Sequence, residues 1–138
     1  MTTVHPYLDL GRDTEEALAF YARVLRGEVV HLIRWRDAMP NVAPDDADRV
    51  IHAEFKAGDV FFMATDAPME PAEKGRGRIS MALDFGDRTE QERVFTGLAE
   101  GGQVLAPLHD TFYGGRMGVV RDRYGVPWML NWSPPRGA

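Results

Sequence analysis

His52 and Glu54 stand two residues apart in Val50-Ile51-His52-Ala53-Glu54-Phe55-Lys56, a run that interleaves apolar and polar side chains. In a strand, residues at i and i+2 leave the same face about 6.5–7 Å apart. A carboxylate beside an imidazole in a partly desolvated cleft moves both groups toward the range where protons are exchanged. The pair is therefore the catalytic candidate for acid–base work without a metal. The same pair could instead hold a divalent metal if His5 approached from another strand as a third donor. A His-x-Glu pair with a distant His arises by chance in many strands, and the expectation taken forward is no metal and no cofactor. If the two side chains face open water, both are ordinary surface residues.

Other chemistries are excluded more firmly. The absence of cysteine from 138 residues removes disulfides, thiolate nucleophiles, iron–sulfur clusters and thiolate-bound zinc, and it fits a reducing compartment. No glycine-rich turn follows a strand and opens a helix, and the phosphate-loop, nucleophile-elbow and zinc-protease patterns are missing. Sixteen basic residues against 21 acidic ones give a net charge of -5, with the basic residues scattered, so nucleic acid is not an expected partner. Residues 1–6 lack the basic and apolar regions of a signal peptide, and the apolar stretch Val60 to Ala64 is too short to span a bilayer. The expectation is a cytoplasmic protein with no membrane partner. With 44% hydrophobic and 27% charged residues, the composition is that of one ordinary globular domain, residues 1–138.

The candidate side chains need strands to carry them, and the sequence supplies strands in a repeated order. Sliding the chain so that Glu15 falls on Glu90 also lays Phe20 on Phe95, and Gly27-Glu28-Val29-Val30 on Gly102-Gln103-Val104-Leu105. The first helix should start near Asp13, which stands in capping-box spacing with Glu16. Ala17, Phe20, Tyr21 and Val24 form its apolar face, and Gly27 is its stop. The second should run from about Asp87 to Glu100 with Val94, Phe95, Leu98 and Ala99 as its face; Gly97 costs it about 1 kcal/mol relative to Ala. Strands are expected at His5 to Leu10, Glu28 to Trp35, Val50 to Lys56 and Val60 to Thr65. In the second half they are expected at Arg78 to Phe85, Gln103 to Leu105, Met117 to Arg121 and Val126 to Trp132. Asp37 to Arg49 reads as a surface excursion or a lid, Asp66 to Gly77 as the linker between the halves, and His109 as a loop residue.

One helix per half covers only one face of a sheet, and alternation says which residues go where. Leu8 and Leu10, then Ile51, Ala53 and Phe55, then Ile79, Met81, Leu83 and Phe85 are assigned to the helix side. The opposite rows hold His5, Tyr7 and Asp9; His52 and Glu54; Ser80 and Asp84; and Met129 and Asn131, opposite Trp128, Leu130 and Trp132. If the halves curve around this mixed face, it becomes a small-molecule cleft. His5, Tyr7, Trp35, His52, Glu54, Tyr113 and Met129 are its expected ligand contacts, the aromatics stacking and the His/Glu pair orienting. Trp128 and Trp132 are read as core or subunit contacts.

The repeat, the run Glu15-Glu16-Ala17-Leu18-Ala19-Phe20-Tyr21 and the ending Asp122-Arg123-Tyr124-Gly125-Val126-Pro127-Trp128-Met129-Leu130-Asn131 together resemble the PhnB-like branch of the vicinal oxygen chelate superfamily. That superfamily includes glyoxalases, extradiol dioxygenases and bleomycin or fosfomycin resistance proteins. His5-Pro6-Tyr7-Leu8 looks like the branch's opening strand, and Thr111-Phe112-Tyr113-Gly114-Gly115-Arg116-Met117-Gly118 like its Phe-aromatic-Gly segment. The resemblance covers nearly the whole chain. It implies an α+β fold of two tandem βαβββ modules, about 4–66 and 78–133, forming a curved mixed sheet around a cleft with the helices outside.

In catalytic members a divalent metal is held by His and Glu or Gln from the first and last strands of each module. Carried onto this sequence, those positions fall at or beside His5, near Met63 or Ala64, at Ser80 and at Met129, so three of the four expected ligands are missing. Members often carry the name of a demethylubiquinone methyltransferase, which the missing glycine-rich cofactor turn does not support. The resemblance also implies a homodimer. The functional expectation is a metal-free small-molecule-binding protein. The alternatives are a lyase- or isomerase-type enzyme using His5, His52 and Glu54, with or without a metal, and a dimerisation module with no ligand.

Overall fold

Among residues 2–66 and 79–134, which the computed structural model describes, the chain forms two compact α+β units. The first contains β1 (Tyr7–Asp9), α1 (Thr14–Leu25), β2 (Glu28–Arg34), a short α2 (Trp35–Ala38), β3 (Val50–Ala57) and β4 (Val60–Thr65). The second contains β5 (Met81–Phe85), α3 (Arg88–Ala99), β6 (Gln103–Asp110), β7 (Arg116–Arg121) and β8 (Pro127–Trp132). Each unit builds its own four-stranded sheet, in the order β1-β4-β3-β2 and β5-β8-β7-β6. The first strand of each unit pairs parallel to its last, and the other pairs are antiparallel. This is the βαβββ module twice. No helix among the described residues is long and apolar enough to cross a membrane.

In the first unit, α1 buries Ala17, Leu18, Phe20, Tyr21 and Val24 against the Ala53–Phe55 side of β3 and the Phe62–Ala64 side of β4. Phe55 stacks on Phe62 with centroids 4.9 Å apart, and Tyr21 meets Phe62 edge-on at 5.7 Å. Each such side chain removed from water stabilises the unit by roughly 1.5–3 kcal/mol. In the second unit, Val94 and Leu98 of α3 share the core with Leu83, Val120, Trp128 and Leu130. Buried Asp122 organises the turn into β8: one carboxylate oxygen accepts the Tyr124 and Val126 N–H groups, and the other accepts Trp128 Nε1 at 2.8 Å. Trp128 is therefore a core residue, while Trp132 is partly exposed beneath Arg88.

Several local expectations are corrected. Asp13 is the N-cap residue of α1 but its side chain makes no cap hydrogen bond; the Thr14 N–H is accepted instead by Asp66, far along the chain. The same buried Asp66 also accepts the Val50 N–H at 2.9 Å. The rest of the expected linker, and Arg78 at the start of the expected fifth strand, lie outside the described residues. Ile79 precedes β5 and is 83% exposed, so it is not part of the apolar row. The expected β2 ends a residue early because Trp35 opens α2, where Asp37 accepts the Arg34 N–H. β6 runs past Leu105 to Asp110 and takes in His109, because Pro107 sits on an edge strand with register shifts on both sides of Ala106, where its missing N–H breaks no ladder.

Candidate functional site

Alternation along β3 puts Ala53 and Phe55 in the core, so His52 and Glu54 leave the face opposite α1. On β4 the same logic buries Phe62 and Ala64 and turns Phe61, Met63 and Thr65 to the open face. Strand register then aligns one row across the sheet: Tyr7 beside Met63, Met63 beside Glu54, and Glu54 beside His31. The mixed polar face read from the sequence exists in this unit.

The row converges on His52. Its Nδ1 lies 2.8 Å from the Tyr7 hydroxyl and its Nε2 lies 2.9 Å from Glu54 Oε2. A carboxylate only accepts, so neutral His52 carries its hydrogen on Nε2, and Nδ1 accepts from the Tyr7 O–H. His31 closes the group from β2, its ring 6.1 Å from that of His52. The side chains of His52 and Glu54 are 26% and 32% exposed and Tyr7 is 49% exposed, so water or a ligand reaches the group. Partial burial, and then the negative charge of Glu54, push the Tyr7 hydroxyl above its ordinary range, which keeps it protonated.

The structure thus joins Tyr7, His52 and Glu54. His5 lies outside this hydrogen-bonded chain and packs edge-on against Phe61 at 5.1 Å. Trp35 leaves the strand at the start of α2; its buried Nε1 has no hydrogen-bond partner among the described residues. In the second unit, Tyr113 is half exposed on the β6–β7 loop, edge-on to fully exposed Phe112, and Met129 lies on β8 between Ala82 and Val119. His31 is the residue that the sequence reading missed. A register shift between Val29 and His31 changes the alternation along β2, a signal that exists only once β2 is paired with β3.

The family metal positions offer an imidazole at His5, a thioether at Met63 or a methyl at Ala64, a hydroxyl at Ser80 and a second thioether at Met129. Thioethers are too soft for Mg, Mn or Fe, and this donor set does not fit such an ion. Among the described residues, no three His, Asp or Glu side chains are grouped closely enough to share one.

Residues 2–131 match the model of the family described as 3-demethylubiquinone-9 3-methyltransferase. Protein YjdN of Escherichia coli is 29% identical over 137 residues, covering 91% of this chain and 92% of its own. Protein PA1353 from Pseudomonas aeruginosa shares 33% identity and superposes with a TM-score of 0.85 over 98% of this chain and 100% of its own. The PhnB protein from Bacillus cereus shares 26% identity with a TM-score of 0.80, over 96% of this chain and 100% of its own. A glyoxalase/bleomycin resistance protein/dioxygenase family enzyme from Burkholderia phytofirmans, at 14% identity and a TM-score of 0.60 over 94% of each chain, shares the fold. With the module built twice and the match running nearly end to end, this chain belongs to the family described as 3-demethylubiquinone-9 3-methyltransferase.

Proposed function

We propose that this protein binds a small, partly aromatic or polar molecule without a bound metal, on the open face of its first sheet. The supporting observation is the chain Tyr7–His52–Glu54, in which polar side chains from two strands fix one another beside Phe61 and Met63. Burying and fixing polar groups costs free energy that a merely wetted sheet face has no reason to spend. His52 and Glu54 orient the ligand, and Tyr7 and His5 offer ring surface. Trp35 is proposed as a further stacking surface at the end of β2. In the second unit, Tyr113 and Met129 are proposed as ligand contacts.

Methyl transfer is not proposed: the connection from β1 to α1 carries the single glycine Gly11, with no glycine-rich cradle for a methyl-donor cofactor. A second reading, an isomerase- or lyase-type enzyme, is favoured by the two-sided hydrogen bonding of His52. That arrangement would let a proton taken up at Tyr7 pass to an imidazole held by a carboxylate.

Native mass spectrometry of the purified protein, with its metal content, tests the binding reading. A bound organic molecule and no stoichiometric metal are expected, with a melting temperature indifferent to Mn, Ni, Zn and Fe. His52→Ala and Glu54→Ala should each weaken that molecule's binding about tenfold or more; unchanged affinity in both variants overturns the site.

We also propose a cytoplasmic homodimer. β2 and β6 are sheet edges that expose Val29 and Val30, and Val104 and Leu105, at equivalent positions of the two modules, and a second copy would cover them. The absence of cysteine suits the compartment. Sedimentation should give twice the 15.5 kDa chain mass; a monomer at micromolar concentration overturns the dimer.

A further inference from the structure

We propose that the ligand of the Tyr7–His52–Glu54 face is a hydrogen-bond donor, of the class of small amines and organic ammonium ions carrying an aromatic or alkyl body. This deepens the binding reading above and rests on it. Both His52 nitrogens are occupied inside the protein, one by Tyr7 and one by Glu54, so the imidazole orients the ligand through these two partners. What faces outward is whatever remains unused on its two partners. The Tyr7 hydrogen is committed to Nδ1, leaving lone pairs on its oxygen. Glu54 uses Oε2 for His52, and Oε1 has no partner among the described residues.

The Tyr7–His52–Glu54 chain therefore presents acceptors only, at two points, while neighbouring His31 carries a ring N–H. A ligand that itself offers only acceptors, such as a carboxylate, phosphate or ketone, places lone pairs against lone pairs there. An ammonium ion donates to either acceptor, which lie on opposite sides of the His52 ring, and its bond to Glu54 Oε1 is charge-assisted. The neighbours suit the body of such a ligand. Phe61 and Met63 from β4 and the Tyr7 ring give apolar and π surface, which attracts a cation as well as an alkyl group. His31, cross-strand from Glu54, and exposed Lys56, two residues beyond Glu54 on the same face, are the features that would favour an anion.

Three probes of one shape test this: benzylamine, benzyl alcohol and benzoate, titrated into the full chain with Tyr7, His52 and Glu54 followed by NMR. Benzylamine should bind most tightly, benzyl alcohol less so, and benzoate about tenfold or more weaker than benzylamine. Glu54→Gln, checked for an unchanged melting temperature, should cost benzylamine about tenfold, and Tyr7→Phe less than that. Benzoate binding at these residues as tightly as benzylamine, or benzylamine indifferent to both substitutions, overturns the ligand class while leaving the face a binding site. No probe moving these resonances overturns the binding reading, and the ligand class with it.

Discussion

At the scale of single residues, the feature with the clearest physical consequence is the Tyr7 hydroxyl. Partial burial and the Glu54 charge hold its ionisation above the ordinary tyrosine range. A group whose ionisation is raised by folding stabilises the fold while pH stays below its unfolded value, about 10, and loses that contribution as pH rises through the folded value. Absorbance titration of the wild type minus Tyr7→Phe should show one tyrosine ionising above the free amino acid. In Glu54→Gln the midpoint should fall only part of the way, because burial is the larger cause and is untouched. A midpoint at or below that of free tyrosine would mean that Tyr7 is solvated and unconnected to Glu54. His52 and Glu54 were legible in the sequence because a two-residue spacing in a strand is a local rule. Their joining to Tyr7 was not, since it depends on β4 lying between β1 and β3.

At the scale of elements, the helix–strand junctions show what sequence can and cannot reveal. Gly27 reads as a helix stop, yet the left-handed residue is Arg26, at φ 55°. Gly27 is required for close packing: a Cβ there would stand 2.6 Å from the Lys56 carbonyl oxygen and 2.6 Å from Ala57 Cβ. Gly27→Ala should therefore destabilise by about 1–3 kcal/mol, whereas Arg26→Gly should stabilise by about 0.5–1 kcal/mol by relieving the left-handed strain. Urea unfolding midpoints of the two variants check this, and movement in the same direction would refute it. Elements set by periodicity, such as α1 and β3, were readable along the chain. Those set by a distant partner were not: the Asp66 cap of α1 is 52 residues away, and the run of β6 through Pro107 depends on its being an edge.

At the scale of the molecule, the repeat made the fold legible. Two similar stretches must solve the same covering problem, and the shared strand order in the two sheets is that solution. Hydrogen exchange should follow the order, with amides slowest in β3, β4, β7 and β8, and those of β2 and β6, which the proposed second copy covers, slower than those of the other edges, β1 and β5. Exchange in β2 and β6 as fast as in β1 and β5 would count against the dimer. The repeat also makes the molecule its own mutagenesis experiment. Arg26 corresponds to Gly101, both at positive φ, while Gly27 corresponds to Gly102, whose added Cβ would stand 2.4 Å from the Arg121 carbonyl oxygen. At the first position the first module carries Arg26, while a Cβ on Gly101 would stand 2.9 Å from Arg123 Nε; at the second, neither module has room for any side chain. Grafting the second module's Gly-Gly junction into the first should therefore be tolerated, whereas the first module's Arg at Gly101 must displace Arg123, and any side chain at the second position should fail in either module.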